Sequence, residues 1–264
     1  MTLTKFSELR ASPLIVSYGG GTNSTALLIG LKERGIRPFA IMFADTGNEK
    51  PGTYEHLFRM QEWAKTNDFP EFTIVRNTLP QGLLDGSLYD ECFRLGTMPS
   101  KLFGHSTCSM KWKVTPQIQA TQRLLIEHQI SHVNRAIGYD ADEIHRAEKP
   151  KPVREWETNW YPLIEWGWGR DECVEAIARA GLPQPGKSAC FMCPSSKKPE
   201  VVWLSKTHPD LYSKAIAMER RALAGEGQAP AARVKGLGRH WNWETLEGVD
   251  TGTPEVDCGC YDGD

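Results

Sequence analysis

The chain has no apolar run approaching the roughly 18 residues of a membrane-spanning helix, so no membrane span is expected. It has no excess of positive charge: 31 Lys and Arg stand against 33 Asp and Glu, a formal net charge of −2. No global basic field therefore recruits nucleic acid, although small groups such as Lys111 and Lys113, or Arg233, Lys235, Arg239 and His240, can meet phosphates locally. The N-terminal MTLTKFSELR lacks the apolar stretch of a secretory signal, so a cytoplasmic chain is expected. In that compartment the seven cysteines read as metal ligands, reactive thiols or plain core before they read as disulfides. There is no internal repeat and no long low-complexity segment. Two phosphate-loop patterns are also missing. No Lys follows the glycines near residue 20, which excludes G-x-x-x-x-G-K-[ST], and Ser24 stands where G-x-G-x-x-G needs its last glycine.

What is present begins with LIVSYGGGTNS at 14–24: an apolar strand, three glycines and a cluster of small polar residues, followed by the amphipathic TALLIGLKERG. Glycines let a backbone approach a phosphate closely, and the first free N–H groups of a helix point at it. Thr22, Asn23 and Ser24 add capping groups. On its own such a turn is also an ordinary strand–helix connection.

Strand and helix patterns alternate through the first two thirds. Strands are expected at 14–17, 38–45, 72–77, 132–139 and 159–166, and helices at 23–34, 53–66, 115–129 and 170–181. This order predicts an α/β fold, a Rossmann-like parallel sheet with helices on both faces. Ligands of such sheets bind at the carboxyl ends of the strands. One boundary is expected near 182/183. A nucleotide-binding domain spans 1–182, and a cysteine-containing helical and loop appendage spans 183–264, with a helix at 208–223.

Two strand ends carry chemistry. Asp45-Thr46-Gly47 follows the second strand, and an Asp there can hold ribose or Mg²⁺ or make an ordinary turn. Gly138 allows close backbone approach after the fourth. Asp142 and Glu143 can bind Mg²⁺ or complement a helix dipole, and Arg146 can fork a phosphate or sulfate. Cys190-Phe191-Met192-Cys193 has the spacing of zinc, iron–sulfur or redox dithiol sites. Cys92 and Cys173 read as scattered buried or surface thiols, Cys173 within an amphipathic helix.

Taken together, these segments resemble the phosphoadenosine phosphosulfate reductase-like branch of the PP-loop ATP pyrophosphatases. The matching segments are the glycine loop Ser17 to Ser24, Asp45-Thr46-Gly47, Cys108 to Lys113 ahead of Pro116, Gly138 with Glu143 and Arg146, and Tyr161 to Trp166. Gly19 and Asn23 stand where that family carries the first Ser and the Asp of its loop. The resemblance implies an adenine nucleotide α-hydrolase-like fold and an enzyme that splits ATP to AMP and pyrophosphate, adenylating a substrate for sulfur transfer. DNA phosphorothioation enzymes are the nearest match in kind.

The implied nucleotide site comprises Tyr18, Gly19, Gly20, Gly21, Thr22, Asn23, Ser24, Asp45, Thr46, Gly138, Asp142 and Glu143, with ATP and Mg²⁺ as cofactors. Ser17, Asn23, Ser24, Asp45, Lys111 and Arg146 are the implied catalytic set. Cys108, Cys190 and Cys193 match cluster-ligand positions of the reductases. This implies a [4Fe-4S] cluster, with Zn²⁺ as the alternative, completed by Cys258 or Cys260, with His105 a weaker candidate. Cys258 also matches the mobile thiol of those reductases, so ligand and nucleophile stay open between Cys258 and Cys260. The implied partners are a cysteine desulfurase and DNA, the latter reached mainly through other proteins. Two other readings are a sulfonucleotide reductase and a nucleotide-binding subunit without catalysis.

Overall fold

Strand β1 (Leu14–Tyr18) lies at the centre of a five-stranded sheet ordered β3-β2-β1-β4-β5, with β2 at Ala40–Ala44, β3 at Phe72–Val75, β4 at Val133–Ile137 and β5 at Glu157–Trp160. Every pairing in it is parallel. The computed structural model describes residues 3–77, 86–99, 101–102, 105–149, 152–225, 235–246 and 248–249, with the backbone alone for 101–102 and 105–107. Arg233, Cys258 and Cys260, and the side chain of His105, lie outside the described residues.

The sheet forms because β1 and β2 are apolar on both faces, the signature of a strand covered by helices on either side. Side chains alternate as period two demands. Leu14, Val16, Tyr18, Ile41 and Phe43 join one buried cluster, and Ile15, Ala40 and Met42 join the other. Helices α1 (Thr22–Glu33) and α2 (Pro51–Thr66) bring Leu27, Leu28, Leu57 and Met60 to the first cluster. Helix α4 (Thr115–Glu127) brings Ala120, Leu124 and Leu125 to the second. Helix α5 (Arg170–Arg179) adds Cys173, Ala176 and Ile177 to the first. The Rossmann-like architecture is thus present, with β1 and β4 flanking the point where the strand order reverses.

Two compact units divide the chain: Met1–Ala44, Pro51–Val75 and Gln117–Ser188 form the sheet unit, and Asp45–Lys50, Arg76–Pro116 and Ala189–Asp264 form the second. The division differs from a single cut at 182/183, because the segments at 45–50 and 76–116 group with the C-terminal third. The second unit has its own core, in which Trp112, Met192, Val201, Met218 and Trp243 are buried together. It contains α3 (Leu88–Leu95), α6 (Lys198–Thr207) and α7 (Pro209–Leu223). Neither α3 nor α6 is expected from the pattern of the chain. Ser87 caps α3, its Oγ accepting the Asp90 N–H at 3.2 Å, and Gly96 closes the helix at φ 61°. Buried Glu219 acts as a staple here, accepting backbone N–H groups of Leu237 at 2.6 Å and Trp243 at 3.1 Å.

The expected strand at 159–166 is corrected. The strand ends at Trp160, and Pro162–Glu165 forms a helical turn. Proline has no N–H for a ladder but is preorganised for the first position of a helix.

Candidate functional site

The glycine turn sits in the sheet unit at the carboxyl end of β1. Gly20 holds φ at +80°, and a Cβ there would meet Thr53 Cγ2 at 3.0 Å and a Phe43 ring carbon at 3.4 Å. A side chain is therefore excluded both by conformation and by space. Gly21 is the N-cap of α1 and brings no side-chain cap. Helical bonding starts with the Thr25 N–H donating to the Gly21 carbonyl at 3.0 Å, so the amides of Thr22, Asn23 and Ser24 precede the ladder. The Ser24 hydroxyl donates back to the Gly21 carbonyl at 3.0 Å. Thr22 is fully buried, and its Oγ1 has no hydrogen-bond partner among the described residues. An uncapped helix start beside an orphaned hydroxyl is the arrangement an anion completes. A groove of about 860 Å³ lies at the opposite, amino-terminal edge of the sheet, between Leu9, Ile36, Phe39 and Pro70.

Gly138, at the end of β4, lies against this turn. A Cβ there would stand 3.2 Å from both the Asn23 carbonyl oxygen and Ser24 Cα. The close approach read from the sequence is therefore an approach to the backbone of α1. Beyond it, Asn23 Nδ2 donates to Asp140 Oδ2 at 2.8 Å and to Glu143 Oε2 at 3.1 Å. Arg170 Nη1 donates to Asn23 Oδ1 at 3.3 Å. Glu143 also pairs with Arg146, whose guanidinium lies 4.2 Å over the Tyr139 ring. Burial raises the pKa of Asp140, against the pull of its Asn23 hydrogen bond. Burial also raises that of Glu143, with Arg146 opposing. Asp142 Oδ2 accepts the Arg170 backbone N–H at 3.0 Å, at the start of α5. Asp140 and Arg170 are not in the expected set. The Asp-x-x-Glu spacing of 140–143 is a helix-capping signal that points to Asp140, whose carboxylate accepts the Glu143 N–H at 3.0 Å.

Ser17 faces a different cluster. Its Oγ donates to Gln117 Oε1 at 2.8 Å and accepts from Arg135 Nη1 at 3.1 Å. Arg135 is itself buried against Glu157 at 2.6 Å. Tyr18 points to the other face, where its hydroxyl meets Thr25 Oγ1 at 3.2 Å, and Thr25 Oγ1 meets His56 Nε2 at 2.9 Å. Burial, helped by Arg59, lowers the His56 pKa to about 4.

In the second unit, Asp45 is buried with both oxygens engaged. Oδ1 accepts the Gly47 N–H at 2.8 Å, and Oδ2 accepts from Arg76 Nε at 2.9 Å. Arg76 is a partner that no sequence motif marks. Thr46 Oγ1 lies 3.0 Å from Glu49 Oε1 and 3.2 Å from Cys190 Sγ. Lys113 Nζ pairs with buried Glu49 at 2.9 Å. Burial works against the Lys113 charge, but Glu49 and the neighbouring cysteines outweigh it and hold its pKa above the usual lysine value. Lys111 pairs with Glu91, which also accepts from Trp112 Nε1 at 3.1 Å.

The Cys190–Cys193 turn is tied to 48–50 by backbone bonds: Phe191 N–H to the Asn48 carbonyl at 2.9 Å, and Lys50 N–H to the Ala189 carbonyl at 3.0 Å. Burial, with Glu49 adding to it, pushes the Cys190 thiol well up. Cys108 is raised by burial and by Cys193 nearby. These thiols share a neighbourhood. Yet no group of three His, Cys, Asp or Glu side chains placed to hold a metal occurs among the described residues. The acids named for Mg²⁺, namely Asp45, Asp142 and Glu143, are engaged by protein groups.

No family model matches the chain, and no curated protein matches it in sequence. Among solved structures it is similar to the U34-tRNA thiolase NcsA from Methanococcus maripaludis with its [4Fe-4S] cluster, at 17% identity and a TM-score of 0.44, over 96% of this chain and 86% of that one. The functional reading rests on the residues of this chain.

Proposed function

We propose that the protein is an ATP pyrophosphatase of the PP-loop type. It binds ATP with the phosphates on the N-terminus of α1, releases pyrophosphate and leaves an adenylated substrate open to sulfur. The observation that carries this reading is the start of α1: buried, uncapped, entered through three glycines and lined by the orphaned Thr22 hydroxyl. Backbone amides fixed in that position stabilise the charge that grows on a pyrophosphate leaving group without reorganising. An oxygen of the acceptor attacks the α-phosphorus, the bond to the β-phosphate oxygen breaks, and pyrophosphate departs. The outer sulfur of a persulfide then attacks the adenylated phosphate and displaces AMP, and a thiol reductant cleaves the S–S bond to leave the sulfur on the acceptor.

The acceptor proposed is the DNA backbone phosphate, with sulfur supplied by a cysteine desulfurase; the sequence resemblance supports both choices. Ser24, Asp45, Lys111 and Arg146 are proposed to act at the nucleotide, Arg146 as a phosphate fork once its pairing with Glu143 is exchanged. If Mg²⁺ accompanies ATP, the phosphates themselves supply its ligands. A cluster or zinc on Cys108, Cys190 and Cys193 needs a further ligand, for which Cys258 and Cys260 are proposed. Among the described residues no helix is long and apolar enough to cross a membrane.

The test uses the full chain with a thiol reductant in two arms, one with a desulfurase, ³⁵S-cysteine, Mg²⁺-ATP and duplex DNA, the other with adenylylsulfate. ATP-dependent incorporation of ³⁵S into DNA supports the proposal. Sulfite release from adenylylsulfate, without pyrophosphate release from ATP, replaces it with a sulfonucleotide reductase.

A further inference from the structure

Both amide protons of Asn23 are used and its oxygen is engaged. Its Nδ2 donates to two carboxylate oxygens, Asp140 Oδ2 at 2.8 Å and Glu143 Oε2 at 3.1 Å, and its Oδ1 accepts from Arg170 at 3.3 Å. The orientation of the amide is fixed by these partners, since two acceptors face the nitrogen and a donor faces the oxygen. Both acids are buried and anchored a second time, Asp140 by the Glu143 N–H at 3.0 Å and Glu143 by Arg146. The two buried carboxylates face the guanidiniums of Arg146 and Arg170 with a neutral amide between them, and Asp142 adds a further negative charge nearby. An aspartate at position 23 could donate to neither acid and would add a third negative charge to a buried pair.

We propose that Asn23 is a positioning residue and not a ligand of nucleotide or metal. It clamps the first turn of α1 to the end of β4 through Asp140 and Glu143, and this chain carries its carboxylates on that strand end instead of on the glycine loop. The clamp also accounts for Gly138, whose missing Cβ lets the backbone of β4's end lie against Asn23 and Ser24. Held this way, the amides of Thr22, Asn23 and Ser24 keep a fixed aim. The inference rests on α1 being the phosphate cradle, but the clamp can be tested separately from that reading.

The experiment measures the dissociation constant of Mg²⁺-α,β-methylene-ATP and the thermal midpoint for the wild type, Asn23→Asp, Asp140→Asn and the double variant Asn23→Asp/Asp140→Asn. Asn23→Asp is expected to weaken analogue binding by about tenfold or more, since two buried hydrogen bonds become repulsions. The double variant restores one amide–carboxylate bond with the roles exchanged, leaves the carboxylate at position 23 facing Glu143, and is expected to recover part of that loss. A purely structural role would lower the fraction of folded protein without changing the dissociation constant of the molecules that fold. Unchanged binding in Asn23→Asp, or a double variant no better than the single, overturns the clamp. If Asn23→Asp does not fold, the double variant decides alone: a folded, binding double supports the clamp, and an unfolded one overturns it. If the wild type itself does not bind the analogue, the nucleotide reading fails. The clamp is then judged on whether the thermal midpoints of positions 23 and 140 are coupled or additive.

Discussion

The sheet unit and the second unit are held together in different ways. The sheet unit is built from alternating strands and helices whose apolar side chains follow period two, and its strands lie in sequence order except where β4 pairs with β1. The second unit gathers three separate stretches of chain around buried tryptophans and fastens them with polar groups: Glu219 on backbone amides, Glu49 on Lys113, Asp45 on Arg76. A sheet-built unit can leave one helix start open for a ligand, because its stability lies elsewhere. A unit fastened by polar groups has few acids to spare, and Asp45 and Glu49 both carry structural partners.

The largest expected effect breaks the cradle without touching the second unit. Gly20→Val places a branched side chain at positive φ, with its Cβ 3.0 Å from Thr53. We expect loss of ATP turnover by about a hundredfold or more, with a stability cost of about 1–3 kcal/mol. Turnover within about threefold of wild type would remove the glycine turn from the site.

In the second unit, Lys113→Met leaves the Glu49 carboxylate buried beside Cys190 without its cation. The lysine side chain is 34% exposed, so the expected cost is about 2 kcal/mol, below the range for a fully buried pair. Urea unfolding followed by tryptophan fluorescence reads it. An unchanged midpoint would mean the pair is no strut.

The next effect belongs to the sheet unit again. The His56 pKa falls from 6.5 to about 4 on folding, so between these values the unfolded chain binds a proton that the folded chain does not. Stability should therefore fall as pH drops through that window, by up to about 1.4 kcal/mol per pH unit from this group. His56→Gln should flatten the acid limb of the stability curve. An unaltered limb would assign it to other groups.

How much was legible in the sequence follows the same division. β1, β2 and the first turn of α1 were readable because burial on both faces writes a continuous apolar run, and because glycine and small polar residues mark a helix start. β5 was misplaced because Tyr161 to Trp166 is as apolar as a strand, and only Pro162 records the turn. The Asn23 contacts could not be read: its partners lie 117 and 120 residues away, and no local pattern encodes such a pairing. Arg76 and Glu49 were missed for the same reason. The loop asparagine that departs from the family pattern makes sense only beside Asp140 and Glu143.

The central claim is that α1 holds a nucleotide for cleavage at the α-phosphorus. The most direct measurement is ³¹P NMR of the products formed from Mg²⁺-ATP by the full chain together with its acceptor. The account predicts AMP and pyrophosphate in equal amounts. ADP with orthophosphate, or intact ATP that does not bind, would contradict it.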